Sequence, residues 1–341
     1  MTTHLHQLAS CLYTVTAMSN SGRFHLLVLL TMLLSTVTAC SITSGKSVIR
    51  SETHLQTEKL LERGLRAQQK SDLRQAEQLF ADALALSSSI EDNPDRVIAL
   101  VNLARLNRLG GKIDASNLYI DQALQICSAH PEFTSEVTYE KALVEIALKN
   151  NTDALKWASR ALDAENGPSK GVRRNLLART QLINGNLDTA SKTATIALQE
   201  NRNNDLPEEE ANSLRMLGDI ELKSRRLELA EKLLLEALEI DKRIGASAKI
   251  GLDLEKLAEV AERKNEPVQN ADYLERACSV HLSAGRRDKA VVILQDLIKV
   301  YQKNGDTRAA EKAKSALEQL VSKTAPYTSS ISEIANPSSK P

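Results

Sequence analysis

Aromatic residues are scarce in this 341-residue chain: three Phe, six Tyr and one Trp, 3% of the total. That level argues against an aromatic-rich β-sandwich. Glycine (13) and proline (8) are few as well and mostly punctuate apolar-periodic runs, while Ala, Leu, Glu, Lys, Arg and Gln dominate the middle of the chain. This is helical composition, and it predicts an all-α protein. No charge of either sign is in excess: 44 Lys and Arg balance 44 Asp and Glu. Dedicated nucleic-acid binding, which needs a basic surplus to neutralise phosphates, therefore has little support. A long apolar run is also missing. The most apolar stretch, Phe24 to Ala39, is interrupted by His25 and Thr31 and fades into Ser35 and Thr36. A membrane-spanning helix wants about 20 predominantly apolar residues.

What is present instead is the outline of an export signal over residues 1–39. Arg23 precedes the apolar run, and no acidic residue occurs before Ser51. The run ends on Val37-Thr38-Ala39-Cys40, which resembles the lipobox of bacterial lipoproteins: an aliphatic residue, a small residue, Gly or Ala, then Cys. An uncleaved anchor and a cysteine there by chance are the alternatives. The resemblance implies a diacylglycerol on the Cys40 sulfur and an acyl chain on its amino group. At roughly 0.8 kcal/mol per buried CH₂, three chains hold a protein to a membrane far more firmly than one. Ser41, where Asp would stand in the retained type, implies transport to the outer membrane, with the body facing the periplasm. Lipoprotein signals of this kind usually start shortly before the first Arg. Met18 fits that start, so residues 1–17, with Cys11, are expected to lie ahead of the true initiation site. Residues 40–56, small and polar after Cys40, read as a flexible tether.

From residue 57 to 322 the chain repeats itself. A small residue, six others, then Ala and an apolar residue recur at Ala76/Ala83, Ser116/Ala123, Ala154/Ala161, Ala190/Ala197, Ala230/Ala237, Asn270/Ala277 and Ala309/Ala316. The successive second members are 40, 38, 36, 40, 40 and 39 residues apart. Seven residues is two helical turns, so both small residues share a face and admit a neighbouring helix closely. A second small position lies in a preceding helix, at Gly64, Ala104, Ala142, Ala178, Gly218 and Ala258. Turn-forming residues separate the two: Ser71-Asp72, Gly110-Gly111, Asn150-Asn151, Asn184-Gly185 and Asn304-Gly305. Each unit is a helix, a tight turn and a helix. The third copy has a loop one residue short, and the sixth has Pro267 before its second helix and no glycine turn. Residues 323–341, Ser/Pro-rich and without periodicity, are expected to be a disordered tail.

The unit resembles the tetratricopeptide repeat, most visibly in Leu217-Gly218-Asp219 followed by Leu229-Ala230-Glu231 and Ala237-Leu238, and in Gly64 with Ala76, Phe80 and Ala83. The period near 40 is closer to the long variety of kinesin light chains than to the basic 34. The resemblance implies a right-handed superhelical solenoid of about seven repeats, with a HEAT-type solenoid as the alternative of the same period.

No catalytic residue, metal ligand set or cofactor cradle stands out. Gly45-Lys46-Ser47 lacks the glycine five positions earlier that a phosphate loop needs. His54, His130 and His281 are scattered without metal-ligand spacing and read as solvated or capping side chains. Cys127 and Cys278 lie four repeats apart, too far for a disulfide, and read as small buried hydrophobes. Trp157 reads as core or partly buried rim.

In proteins this chain resembles, the first helices of successive repeats line a surface that binds peptides or partner helices. By register that side includes Leu61, Leu65, Val101, Asn102, Arg105, Arg108, Asn175, Arg179, Arg215, Asp219, Glu255, Glu259 and Glu262. The Arg run hints at an acidic ligand, since guanidinium groups pair with carboxylates in two-point fashion; the plainer reading is charge on a solvated face. Leu61 and Leu65 stand where a chaperone-tail clamp would need Lys and Asn. The expected function is a non-enzymatic, lipid-anchored periplasmic scaffold that helps assemble or localise an envelope complex of pilus, secretion or polysaccharide-export type. The alternative is an adaptor of peptidoglycan hydrolases or a periplasmic protease. The expected partner is a protein or peptide, with no nucleic acid, small-molecule substrate, metal or cofactor.

Overall fold

The structure, a computed structural model, describes residues 51–322. The export signal, Cys40, most of the tether and the C-terminal tail lie outside the described residues. Among the described residues fourteen α-helices follow one another, two per repeat: α1 (Glu52–Gln69) with α2 (Leu73–Ser89), α3 (Asn93–Leu109) with α4 (Ile113–Cys127), and α5 (Thr134–Ala147) with α6 (Asn151–Asp163). The rest are α7 (Lys170–Ile183) with α8 (Leu187–Asn203), α9 (Pro207–Lys223) with α10 (Leu227–Ile244), α11 (Ser247–Arg263) with α12 (Pro267–Ser283), and α13 (Arg287–Lys303) with α14 (Thr307–Ser322). Among the described residues there is no strand, and no helix is long and apolar enough to cross a membrane. The first helix starts before residue 57, because Ser51 supplies a cap: its hydroxyl accepts from the His54 N–H at 3.3 Å.

One turn, used over and over, sets the register. In the first, the Asp72 N–H donates to the Ala67 carbonyl at 2.9 Å and the Ser71 N–H to that of Gln68 at 2.9 Å, with Ser71 left-handed at φ 62°. This is the Schellman arrangement, which satisfies the last carbonyls of a helix. The same pattern recurs with Glu91, Gly111, Lys149, Gly185, Asp205, Arg225, Gly245, Asn265, Gly285 and Gly305 in the left-handed position. The residue after it begins the next helix; Asp72 and Asp92 accept from the Gln75 and Asp95 N–H groups as N-caps. Turns within and between repeats are therefore alike, and the underlying unit is a single helix and turn of 20 residues, half the period visible in the sequence.

The exceptions have a cause. Twenty residues past Gly111 stands Pro131, and proline cannot take a positive φ. The chain instead makes a 3-10 turn at Pro131–Phe133 before α5. Beside the next expected position stands Pro168, in the connection from α6 to α7. The irregular 38- and 36-residue spacings come from these two joints. The expected short loop of the third copy is in fact the standard turn, at Lys149. The sixth copy also has the standard turn, with Asn265 in place of glycine, and Pro267 occupies the first turn of α12, where a missing N–H costs nothing.

Within each pair, small residues let helices close. Ala76, Ala83, Ala123, Ala154, Ala161, Ala190, Ala197, Ala230, Ala237 and Ala277 are all 0% exposed. A Cβ added at Gly64 would lie 2.5 Å from the Phe80 ring, and one at Gly218 would lie 2.8 Å from Leu234 Cγ. The seventh copy corrects the sequence register by one residue. Ala310, four residues after its turn as in the other copies, is the buried member, Leu317 stands where Ala316 was expected, and Ala316 is exposed. Successive first helices α3, α5, α7, α9 and α11 pack on one another as well as on their partners. They form the inner side of the stack, and that side positions the site.

Candidate functional site

Charged side chains on the first helices mostly answer one another across repeats. Glu140 on α5 is fully buried and receives Arg108 Nε at 2.6 Å and Arg105 Nε at 3.4 Å, both from α3. Glu136, one turn earlier, receives Arg105 Nη2 at 2.5 Å and Arg173 Nη2 from α7 at 2.6 Å. Burial alone would lower the Arg105 guanidinium, but Glu140 and Glu136 outweigh it and hold it above its ordinary value. Burial would raise Glu136, and Arg173 and Arg105 outweigh that, so its carboxyl stays low. Arg173 also lies over the Tyr139 ring at 4.4 Å.

A second knot joins the fifth and sixth repeats. Arg215 on α9 pairs with Asp253 at 2.5 Å and with Asp241, and both carboxylates are 0% exposed. One cation thus faces two buried acids. Burial, then the neighbouring Asp253, pushes Asp241 up to about 7 despite Arg215. Asp241 Oδ1 and Asp253 Oδ2 are buried and neither receives a donor among the described residues. Asp219 is held by Lys256 at 3.0 Å, and Asn175 donates to the Glu209 carboxylate at 2.9 Å.

Of the residues expected on the binding side, Leu61 and Val101 are buried in apolar clusters between helices instead. Leu65 is 41% exposed on α1. Asn102 is buried, donating to the Ile98 carbonyl at 2.8 Å and accepting from Arg105 at 3.3 Å. Arg105, Arg108 and Arg215 are engaged by carboxylates of the neighbouring repeat, so the Arg run is largely neutralised from within. Sequence spacing hid this because the partners lie 26 to 38 residues away. Arg179 on α7 is different: it makes no ion pair and no side-chain hydrogen bond among the described residues. Its side chain is exposed; partial desolvation, with Arg108 nearby, holds its guanidinium below its ordinary value.

Sequence reasoning missed Lys249 and Tyr139. Lys249 on α11 is half-buried, donates to Asn212 Oδ1 at 3.0 Å and, among the described residues, has no carboxylate within ion-pair distance. Burial first, then Arg215, lowers its ammonium. Both residues line a pocket of about 390 Å³ with Arg108, Arg179, Arg215, Asp219, Met216 and Leu252. A neighbouring pocket of about 450 Å³ shares Leu252 and continues along α11 and α13, past Glu255, Glu259, Glu262, Val292 and Asp296. The two form one groove.

Other sequence readings fare unevenly. Cys127 and Cys278 are buried free thiols. Trp157 is half-buried with Arg160 over its ring at 5.6 Å. His281 is neither solvated nor a cap: it is 3% exposed and lies 2.6 Å from Glu255 Oε1. Its Nδ1 accepts from Arg286 at 3.0 Å, so Nε2 carries the proton donated to Glu255. That carboxylate comes from the preceding helix, at no helical spacing, and the ring fills the space left by Gly251.

Paired helices, small-residue seams and an inner groove define a helical-repeat solenoid, and among the described residues His54, Asp92 and Asp95 come together where its first two repeats begin. The tetratricopeptide repeat model matches residues 61–131 and 175–246, which take in the first two repeats and the fourth and fifth. Those stretches are tetratricopeptide repeats, and the scaffold they build is one for protein–protein interaction. The irregular third repeat falls outside both. Solved structures share the fold. A Rap protein complexed with competence and sporulation factor is 14% identical, with TM-score 0.58, 78% of this chain and 76% of that one covered. The apo form of RapI is 14% identical, with TM-score 0.59 and coverages of 79% and 77%. A signal-transduction ATPase with numerous domains and a tetratricopeptide repeat sensor, from Pyrococcus horikoshii, is 17% identical, with TM-score 0.61, 78% of this chain and 40% of that one. No curated protein matches the chain.

Proposed function

We propose that this protein is a lipid-anchored scaffold on the periplasmic side of the bacterial outer membrane, which binds a protein or peptide partner along its first-helix groove. It helps to assemble or localise an envelope complex of the pilus, secretion or polysaccharide-export type, and contributes no chemistry of its own. The observation that carries the compartment is Val37-Thr38-Ala39-Cys40 directly behind an apolar run with an Arg ahead of it and no acid before Ser51. The tetratricopeptide stack supports the scaffold role, and the groove across α5, α7, α9, α11 and α13 supports a bound segment rather than a small substrate.

The test is expression in a Gram-negative host with intact-mass and membrane-fraction analysis of wild type and Cys40→Ala. The expected wild type begins at an acylated Cys40 and fractionates with the outer membrane, and the variant accumulates as precursor. A soluble or uncleaved wild type overturns the anchor. A photo-crosslinker at Met216, on the groove wall, then reports the partner. Secretin or export components support assembly of an envelope machine, whereas capture of peptidoglycan hydrolases replaces that reading with an adaptor role.

A further inference from the structure

We infer that the seam between the fifth and sixth repeats is a proton-operated joint: it closes with one proton held by the buried pair Asp241 and Asp253, and loss of that proton loosens α11 from α10 at the groove wall. The device goes beyond the scaffold reading, because it sets the shape of the groove whatever partner the groove takes.

Each helix of the seam contributes one charge. α10 packs on α9 and on α11, and Asp241 on α10 lies with Arg215 from α9 and Asp253 from α11. Arg215 donates through Nε to Asp253 Oδ1 at 2.5 Å and through Nη2 to Asp241 Oδ2. Both acids are without exposed surface and Arg215 is buried. With both acids ionised, two anions face one cation, and a net negative charge is sealed from water, which a folded interior tolerates poorly. Asp241 Oδ1 and Asp253 Oδ2 still receive no donor among the described residues. One proton cancels the excess charge and supplies a donor. The buried acid between the second and third repeats needs none, because Glu140 has both Arg105 and Arg108.

Lys249 is the remaining charge that acts on Asp241 from the helices packed against α10. Among the described residues it makes no ion pair with either acid; its ammonium donates to Asn212 Oδ1 on the groove side. Burial, together with Asp253, therefore prevails over Arg215 and Lys249 and brings Asp241 to about 7.

The pair sits where it can act. The Asp241 carbonyl accepts from the Ala246 N–H at 2.9 Å in the turn that leads from α10 to α11. On the other side, Arg215 Nη1 donates to Asn212 Oδ1 at 2.8 Å, the same oxygen that Lys249 reaches. Arg215, Asn212 and Lys249 all line the groove pocket. Release of the proton sets Asp241 against Asp253 behind that wall, and water reaches the two carboxylates only if α11 parts from α10. Proton binding favours the closed seam, so closure is complete in acid and weakens as pH climbs through about 7.

Hydrogen exchange read by mass spectrometry on the purified full chain at pH 6.0 and 8.0, with times corrected for intrinsic exchange, tests this. Over residues 238–254 the corrected rate is expected to rise about tenfold between the two, the change that loss of one proton near pH 7 gives. α3 and α4 are expected to keep their corrected rates. Asp241→Asn and Asp253→Asn each leave one carboxylate for Arg215 and should each remove the pH response; either variant suffices if the other does not fold. Equal corrected rates at both pH values in the wild-type seam overturn the inference, as does a response that survives in a folded variant. An equal rise in α3 and α4 also overturns it, because the proton then acts on the whole stack rather than on one joint.

Discussion

Gly218 on α9 faces Leu234 on α10 so closely that a Cβ would sit 2.8 Å from Leu234 Cγ, a side chain with no exposed surface and no room to retreat. Gly218→Ala gains helix propensity, about 1 kcal/mol, but overpacking costs about 1–3 kcal/mol, so a net loss is expected in urea unfolding. The turns offer the opposite case. Arg225 is exposed and left-handed at φ 59°, where an L side chain costs about 1–2 kcal/mol relative to glycine. Arg225→Gly should therefore raise stability by about 0.5–1 kcal/mol after the entropy of the unfolded glycine is counted. A urea midpoint that falls in this variant would contradict the turn assignment.

At the scale of elements, the joint between α10 and α11 carries the sharpest electrostatic consequence. Asp241 is raised to about 7, from an ordinary value of 3.8, by burial and by Asp253. An acid raised in the folded state stabilises it most while protonated, so the contribution is complete below about pH 4 and is lost as pH climbs through about 7. Urea midpoints are expected to be higher at pH 5.5 than at pH 8, and Asp241→Asn should flatten that slope. A wild-type midpoint that rises between those pH values would contradict the assignment. Arg215→Leu leaves two buried carboxylates with no cation and should cost about 3–5 kcal/mol at pH 8, less at low pH.

At the scale of the molecule, a repeat stack has no single core, only seams between neighbours, so its stability varies along its length. The largest apolar cluster runs from Leu222 on α9 to Ala313 on α14. The irregular third repeat has α6, which buries only Ala154, Ala158 and Ala161, and terminal α14 buries only Ala310 and Ala313. Amide exchange in α6 and α14 should be at least about tenfold faster than in α10, which buries Leu234, Leu238 and Ile240. Uniform protection from α1 to α14 would mean that the stack unfolds as one unit.

The sequence by itself determined the helices, their pairing and their number. Small residues two turns apart and glycine or asparagine in the turns are local requirements of helices that touch and then reverse. It did not show that the turn recurs every 20 residues, because Glu91, Asp205 and Arg225 take left-handed positions without any glycine to mark them. The last repeat was misplaced by one residue, since Ala309 and Ala310 look alike until one of them is buried. The binding side was legible as a face, and Arg179 was among its named residues. Which cations on it are free was decided only by tertiary structure. Glu136, Glu140, Asp241, Asp253 and Glu255 reach their partners across repeats, at distances set by how helices stack rather than by where residues fall along one helix.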